Sequence, residues 1–309
     1  MKNFKEFYYP SSTAVNEIRA IVCKPYNKPK AIVQIVHGIA DHIDRYRDFM
    51  FFLAENGFVV VGNDHLGHGH TIRHSVEQGF FAYQNGWTHA VNDIHKLHDI
   101  MQQEFTDIPY IFFGHSMGSF LTRTFIIDHP NDYDAVIISG TGHMPKALVS
   151  SGYTLAIGIA KAKGARYKSR LIDKIVFGAY NKCFEPTRTK FDWISRDEEQ
   201  VDKYINDPFC GFIASASLFS DMMGGIAYIT DQSKINEMSK TKPVLFLSGD
   251  MDPVGENGKG VERAYKAFCA AGIKDICMKL YPGGRHEMLN EINREEVYKD
   301  IVNWINLRL

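Results

Sequence analysis

The stretch Tyr110-Ile111-Phe112-Phe113-Gly114-His115-Ser116-Met117-Gly118 decides the fold of this 309-residue chain. Its first four residues form a short apolar run that is typical of a strand buried on both faces. The residues from Ser116 to about Asp128 have the pattern of a helix, which Pro130 closes. Between strand and helix lies G-x-S-x-G, a motif that places a serine on a sharp, strained turn, where larger flanking residues would collide with nearby backbone. We therefore predict that Ser116 is a nucleophile.

Outward from this turn, the chain alternates buried strands with helical patterns, which predicts an α/β fold with a mostly parallel sheet flanked by helices. An N-terminal hairpin at residues 5–10 and 14–23 comes first. The other predicted strands are 31–36, 58–61, 110–113, 135–138, 243–247 and 277–281, and the predicted helices are 45–56, 87–105, 116–128, 261–271 and 294–307. About a hundred residues after Gly142 lack a convincing buried strand, which indicates a helical insertion after the sixth strand.

A nucleophilic serine requires a histidine base, because its hydroxyl is a weak nucleophile at neutral pH. In folds with this turn the catalytic residues follow the order serine, acid, histidine. His129, His143 and His286 follow Ser116, and the first two come too early for an acid to precede them. His286 lies in a glycine-rich loop just after the last predicted strand. Elimination therefore selects His286 as the base.

Two aspartates are candidates for the acid that orients the histidine. Asp250 and Asp252 both follow the predicted strand 243–247, at the sheet edge where such folds hold their sites. Spacing alone does not choose between them. Pro253 keeps Asp252 in a turn and out of a helix, so we favour Asp252 and expect Asp250 to cap the turn.

Two backbone amides are candidates for binding the oxyanion that forms during acyl transfer. One belongs to Met117, the residue after the nucleophile. The other is expected after the first central strand, where Gly38 lets the chain turn so that the Ile39 amide faces the serine.

These motifs resemble the α/β-hydrolase fold and, within it, the monoacylglycerol lipase and lysophospholipase-like branch. The resemblance covers nearly the whole chain. It rests on residues 37–42 with Arg45-Tyr46, on 64–70, on 114–118, on 249–252, on His286, and on 191–197 and 206–212 within the insertion. By this resemblance Ser116, Asp252 and His286 form a catalytic triad, and Ile39 and Met117 supply the oxyanion amides. The resemblance also implies that residues 143–240 are a cap over a core of residues 1–142 and 241–309.

The resemblance also implies an activity and a substrate class. We expect a serine hydrolase that cleaves carboxylic esters of medium or long acyl chains, of monoacylglycerol or lysophospholipid type, through an acyl-enzyme intermediate. Asp41 and Arg45 match positions that face the head group in that family, whereas Leu289 replaces a histidine near the glycerol group. Alternatives on the same triad are an aminopeptidase, a thioesterase or a small-molecule esterase. A non-catalytic ligand-binding protein of the same fold is a further alternative.

Composition excludes several other classes of protein. Thirty-five Lys and Arg against 36 Asp and Glu give a formal charge of -1, which disfavours nucleic-acid binding. Five scattered cysteines indicate neither a disulfide framework nor a zinc site, and a serine triad requires no metal or other cofactor. The chain shows no secretory signal and no membrane-spanning run, so we expect a cytoplasmic protein. The sequence does not indicate an oligomeric state.

The first half of the insertion is strongly basic. Residues 142–190 contain ten Lys or Arg against Asp173 and Glu185, a local charge of +8, beside apolar runs. Transient contact with an anionic membrane surface is one interpretation, and a solvated face on an insertion whose apolar side covers the pocket is the one we favour.

Overall fold

A single eight-stranded sheet forms the centre of the computed structural model, which describes residues 3–309. The strand order is β1-β2-β4-β3-β5-β6-β7-β8, in which β1 pairs antiparallel with β2, β2 antiparallel with β4, and all later pairs are parallel. The predicted N-terminal hairpin and mostly parallel sheet are thus confirmed. The strands are β1 Asn3–Pro10, β2 Glu17–Lys24, β3 Ile32–Val36, β4 Val59–Asn63, β5 Tyr110–His115, β6 Ala135–Ser139, β7 Val244–Gly249 and β8 Ile276–Tyr281.

Helices cover both faces of this sheet and fill the segment between β6 and β7. Those outside that segment are α1 Arg47–Glu55, α2 Gly86–Glu104, α3 Met117–Asp128, α9 Lys259–Ala270 and α10 Arg294–Asn306. Those within it are α4 Lys146–Lys163, α5 Arg170–Phe177, α6 Glu198–Asn206, α7 Ala216–Ile229 and α8 Gln232–Ile235. Within the described residues, the only β pairing in this segment is an isolated bridge between Lys168 and Ser215. The helix predicted at 45–56 is shorter in the structure, where a 3-10 turn, Ile43–Tyr46, precedes α1.

The apolar run of β5 is continuous because both faces of the strand are covered. Phe112 points to one side, where its ring lies 4.4 Å from that of Phe125 on α3. Phe113 points to the other side, where its ring lies 5.4 Å from that of Phe49 on α1. All four of these phenylalanines are at most 1% exposed. Successive side chains of a strand alternate between faces, so a strand between two helical layers needs apolar residues at every position.

The sheet topology sets where a site is expected. The order of strands reverses at β3, because β4 pairs with one side of it and β5 with the other. In open parallel sheets, ligands bind beyond the carboxyl ends of the strands at such a reversal. Three residues at this edge are in register with one another: Val36 of β3, Gly114 of β5 and Ile138 of β6. The residues that follow these strands are therefore close in space although they are far apart in sequence.

A cavity of about 660 Å³ lies between α2, α4 and α7. Asp221 of α7 lines it and is mostly buried, and its Oδ2 has no hydrogen-bond partner among residues 3–309. A Cβ on Gly86, the first residue of α2, would lie only 2.2 Å from this oxygen. Burial raises the pKa of the Asp221 carboxyl to about 7. A carboxyl in such a place is therefore much harder to ionise than one in water.

No helix in residues 3–309 is both long enough and apolar enough to cross a bilayer. Over the same range, the cysteines form no disulfide.

Candidate active site

Ser116 occupies a strained position between β5 and α3. Its φ of +55° and ψ of -122° lie outside the regions that non-glycine residues usually adopt. The turn is held by a hydrogen bond from Ser116 N to Ser139 O, 3.0 Å, on the neighbouring strand. A Cβ on Gly118 would lie 2.0 Å from Val36 O, and one on Gly114 would lie 2.4 Å from Thr122 Oγ1. Both glycines are therefore required for α3 to pack this closely after β5.

His286 and Asp252 form a buried pair at the same edge of the sheet. The Nδ1 of His286 lies 3.0 Å from each carboxylate oxygen of Asp252. The carboxylate is fully buried and accepts two more hydrogen bonds, from Ser248 Oγ at 3.1 Å and from Val254 N at 2.9 Å. These contacts fix Asp252, which in turn fixes the orientation of the imidazole and directs Nε2 away from the acid.

Asp250 has a different environment. Its Oδ1 accepts a hydrogen bond of 2.7 Å from Gly283 N, and its own amide donates to Tyr281 O. Asp250 thus closes the turn after β8 and makes no hydrogen bond to His286 within residues 3–309. Of the two aspartates that spacing left open, the structure brings Asp252 against the histidine.

The electrostatics around His286 favour the imidazolium form. Burial alone would lower the pKa of His286, but the charge of Asp252 and its hydrogen bond outweigh burial and raise the pKa above its ordinary value of 6.5. The His115 ring lies against that of His286, with centroids 4.7 Å apart and planes tilted by 45°, and burial lowers the pKa of His115 to about 4. At neutral pH His115 is therefore an uncharged neighbour that fills space beside the base without repelling its positive form.

Ser116 and His286 line one cavity, although no hydrogen bond joins the two side chains within the described range. Catalytic hydrogen bonds are often long or poorly aligned in ligand-free proteins and tighten when substrate binds. Ile39 and Met117 line the same cavity, and neither backbone amide has a hydrogen-bond acceptor in residues 3–309. A Cβ on Gly38 would lie 3.2 Å from the Ser116 Cβ, so the loop after β3 passes directly against the serine.

A stack of neutral histidines supports the loop after β3. His37 Nδ1 donates to Gly38 O at 2.8 Å, and its Nε2 accepts a hydrogen bond of 3.0 Å from His65 N. Both ring nitrogens are thereby engaged, and burial holds the pKa of His37 and of His65 well below the usual range. The histidine-rich loop after β4 thus stabilises the backbone beside Ser116. Ser116, Asp252 and His286 belong to none of the groups in residues 3–309 that have the spacing of metal ligands.

The cavity has a volume of about 330 Å³ and is mostly apolar. Its apolar wall comes largely from the 143–240 segment and from α3; it includes Phe120, Met144, Val176, Phe177, Phe212, Ile213, Met222, Met223 and Ile226. Its polar lining includes Asp41, Tyr204 and Glu287. Such a combination suits a ligand with one long apolar part and one short polar part.

Arg45 lies behind this polar lining and holds it together. Its guanidinium makes two hydrogen bonds to the Glu287 carboxylate, of 2.8 and 2.6 Å, and one of 3.0 Å to Asp41 Oδ1. Tyr46 OH donates to the other oxygen of Asp41 at 2.8 Å, and the guanidinium lies 4.7 Å from the Tyr204 ring centroid. Burial would raise the pKa of Asp41, but Arg45 lowers it, so the carboxylate is ionised at neutral pH. Of the two residues predicted to face the head group, Asp41 lines the cavity and Arg45 does not.

Four contacts that the sequence did not predict join the site to the 143–240 segment. Glu287 N donates to Ile194 O at 2.8 Å, and the Trp193 ring lies 5.1 Å from that of His286. On the other side, Ala40 O accepts hydrogen bonds from Gly211 N and from Tyr204 OH, both of 3.1 Å. The motifs at 191–197 and 206–212 marked these regions, but nothing in the sequence paired them with the loops after β8 and β3.

Comparisons with known proteins agree with this architecture. A family model described as serine aminopeptidase, S33, matches residues 27–293. A monoacylglycerol lipase of Mycolicibacterium smegmatis is 25% identical over 301 residues, which cover 96% of this chain and 95% of the relative. The crystal structure of a highly thermostable carboxyl esterase from Bacillus coagulans, in complex with glycerol, has a TM-score of 0.92 at 30% identity and covers 99% of this chain and 98% of its own.

A solved lipase structure in an open form is also similar, with a TM-score of 0.89 at 26% identity over 98% of both chains. The family match spans most of the chain, including β3 to β8, both loops beside Ser116 and the whole 143–240 segment. The chain therefore belongs to the serine aminopeptidase S33 family of α/β-hydrolases, and its resemblance to monoacylglycerol lipases is confirmed.

Proposed function

We propose that this protein is a carboxylic-ester hydrolase that acts on neutral monoacylglycerol-type lipids of medium or long acyl chain. The observation that carries the proposal is the buried His286–Asp252 pair, which shares one largely apolar cavity with Ser116 and with two backbone amides that have no acceptor among residues 3–309. Serine, oriented imidazole and free amides are the parts that acyl transfer requires.

In the proposed mechanism, His286 Nε2 takes the proton of Ser116 Oγ as the oxygen attacks the ester carbonyl carbon. The negative charge moves to the carbonyl oxygen, where the amides of Ile39 and Met117 donate hydrogen bonds to it. His286 then gives its proton to the leaving alkoxide, the carbon–oxygen bond breaks, and the acyl group stays on Ser116. Water repeats the cycle with His286 as base, which releases the fatty acid and restores the serine.

The apolar wall of the cavity supports a long acyl chain. Burial of each methylene group contributes about 0.8 kcal/mol to binding. Three of the wall residues, Met144, Met222 and Met223, have flexible and polarisable side chains that adapt to chains of different length. We propose that acyl length is selected by this wall, with Asp41 placed near the alcohol portion of the substrate.

The charges at the polar lining favour a neutral alcohol portion. Asp41 and Glu287 carry two negative charges against one positive charge on Arg45, and both terminal nitrogens of Arg45 are already bound to these carboxylates. At this end of the cavity an anionic phosphate would meet two carboxylates and could not reach the guanidinium, whereas Lys174 and Lys190 line the cavity together with Asp173. Hydroxyl groups would instead donate to carboxylate oxygens. This supports monoacylglycerol over anionic lysophospholipids as the substrate class.

We also propose that residues 143–240 act as a cap and that the cap touches anionic lipid surfaces. Leu148, Leu171 and Ile175 are each more than half exposed on α4 and α5, within the stretch of charge +8. An exposed apolar side chain among lysines is the combination that binds the interface of an anionic membrane. We place the protein in the cytoplasm, where its cysteines would remain reduced.

Amide hydrolysis is a second candidate function, because the net negative polar lining would also attract a free α-ammonium group. The same charges that repel phosphate favour a positively charged amino terminus beside Asp41 and Glu287. The mostly apolar cavity wall has no counterpart for a polar peptide, so the ester function remains the first proposal.

The test is kcat/KM on monoacylglycerols of increasing chain length, an anionic lysophospholipid, and an aminoacyl anilide. We expect the highest values for long-chain monoacylglycerols, and a fall of at least about a thousandfold in Ser116→Ala. Ser151→Ala, which removes an exposed hydroxyl on α4, is the control and should retain activity within about tenfold. Turnover confined to the anilide would replace the ester proposal with the aminopeptidase, and equal activity of Ser116→Ala would remove Ser116 from the mechanism.

A further inference from the structure

A second cluster of chemically reactive side chains lies outside the active site, between α2 and the end of α3. One face of α2 presents His95, His98 and Asp99, spaced three and four residues apart. The turn after α3 presents His129 and Asp132 opposite them. Two overlapping sets within this cluster, both containing His95, bring their nitrogen and oxygen atoms within 4.8 Å of one another.

The distances in the cluster match those between the ligands of a metal ion. His95 Nε2 lies 3.1 Å from Asp132 Oδ2, and His129 Nδ1 lies 3.6 Å from the same oxygen. In a tetrahedral zinc site with bonds of about 2.0–2.2 Å, neighbouring ligand atoms are about 3.4 Å apart. The imidazoles of His95 and His129 lie next to each other, with centroids 4.0 Å apart and planes tilted by 43°, so both rings are already close to Asp132.

These ligand atoms have no competing partners. Among residues 3–309, no ring nitrogen of His95 or His129 makes a hydrogen bond, and neither Asp99 nor Asp132 has a Lys or Arg nitrogen within 4.0 Å; their only ion-pair partners are histidines. Carboxylates elsewhere on this surface commonly pair with lysine or arginine, as Asp134 does with Lys242. The cluster therefore contains two negative charges without a permanent positive one.

The three side chains His95, His129 and Asp132 are also accessible. Their exposed fractions are 27%, 26% and 37%, which lets an ion enter from solvent while the backbone on both sides stays packed. The site is built from two different elements, since His95 lies on α2 and the other two lie in the turn after α3. An ion bound here would join the two elements.

We propose that His95, His129 and Asp132 bind one Zn²⁺ ion, with water in the fourth position. Asp99, whose Oδ1 lies 3.6 Å from His95 Nε2, adds a second negative charge beside the ion. Imidazole and carboxylate are ligands that zinc takes readily, and three protein ligands with one open position is a common arrangement. The ion ties α2 to the end of α3, the helix that begins directly after Ser116. The role is structural, because the ion sits at the opposite end of α3 from the nucleophile.

The experiment measures zinc binding to the full chain after EDTA treatment, by calorimetric titration and by thermal unfolding. We expect one Zn²⁺ per chain that is lost or weakened at least about a hundredfold in His95→Asn and in His129→Asn. At zinc 100-fold above its Kd, a 309-residue protein should gain about 4 °C in Tm. His89→Asn, on α2 but outside the cluster, is the matched control and should bind zinc like the parent chain.

Two results would overturn the proposal. One is the absence of stoichiometric zinc in the parent chain. The other is undiminished binding in the double variant of His95 and His129, with circular dichroism showing that this variant is folded. A Cys210→Ser variant locates any such binding, because His42, Asp207 and Cys210 form the other described group with the spacing of metal ligands. Zinc lost in Cys210→Ser and kept in His129→Asn would place the ion beside the loop after β3.

Discussion

Replacing Asp221 with Asn is expected to stabilise the protein, and by more at pH 8 than at pH 5. Asp221 lines the cavity between α2, α4 and α7, and one of its oxygens is buried with no protein partner in the described range. Asn has nearly the same shape and carries no charge. The substitution therefore removes the cost of burying a carboxylate and leaves the packing of α7 in place.

The magnitude follows from the pKa of this carboxyl. Burial raises it from 3.8 to about 7, so the folded state holds a proton that the unfolded state has released at any pH between these values. Stability contributed by this group is therefore lost as pH rises from about 4 to 7, and the loss is complete above 7. A pKa difference of about three corresponds to about 4 kcal/mol, and relaxation of the cavity reduces this to about 2–4 kcal/mol at pH 8. At pH 5 the stabilisation expected from Asp221→Asn is less than about 2 kcal/mol.

The assay is urea unfolding of parent and variant at pH 5 and pH 8, followed by circular dichroism. Asp107→Asn is the control, because Asp107 is exposed and its left-handed backbone, φ +61°, suits asparagine equally well. A gain for Asp221→Asn that is the same at both pH values would refute the reasoning, since it would show that the carboxyl ionises normally in the folded state. A loss of stability at pH 8 would show that the carboxylate has a stabilising partner.

Three further predictions concern the active site, and one concerns the fold. Asp252→Asn should lower kcat about 10⁴-fold in single-turnover assays, because the imidazole loses the partner that fixes its tautomer. Since the pKa of His286 is raised and the base must be neutral, kcat/KM should fall with decreasing pH through a midpoint above 6.5, measured from pH 5 to 9; a midpoint below 6 contradicts this. Glu287→Gln should raise kcat/KM for an anionic lysophospholipid relative to monoacylglycerol at least about tenfold, and an unchanged ratio would show that charge does not select the alcohol. Gly118→Ala should destabilise the fold by more than about 3 kcal/mol in urea unfolding, because its Cβ would overlap Val36 O; Ser151→Ala on exposed α4 serves as its control.

The fold was predictable because its signals are local. The apolar run of β5, the glycines at 114 and 118 and the helix that follows occupy adjacent positions, and each is needed for the same turn. The 3-10 turn Ile43–Tyr46 was not predicted. There Ile43 N donates to Asp64 Oδ1 at 2.9 Å, a contact with a residue 21 positions away that changes the start of α1.

Residues of the candidate site were predictable to different degrees. Chain order singled out His286, whereas Asp250 and Asp252 follow the same strand and bind different residues of the loop at 283–286. Glu287 could not be assigned from sequence, because its role depends on Arg45, 242 residues earlier, and on the path of the chain near Ile194. Long-range pairings of this kind leave no periodic pattern in the chain.

The hydrogen bonds that join the 143–240 segment to the site have a consequence for how such proteins diverge. Gly211 N to Ala40 O and Glu287 N to Ile194 O are both main-chain bonds, which almost any side chain leaves intact. Point substitutions in the cavity wall can therefore alter substrate range while the geometry around Ser116 persists. Insertions or deletions near 194 or 211 would displace the loops that hold the base and the amides. We expect evolution and laboratory selection to change the composition of this segment readily and its length there rarely.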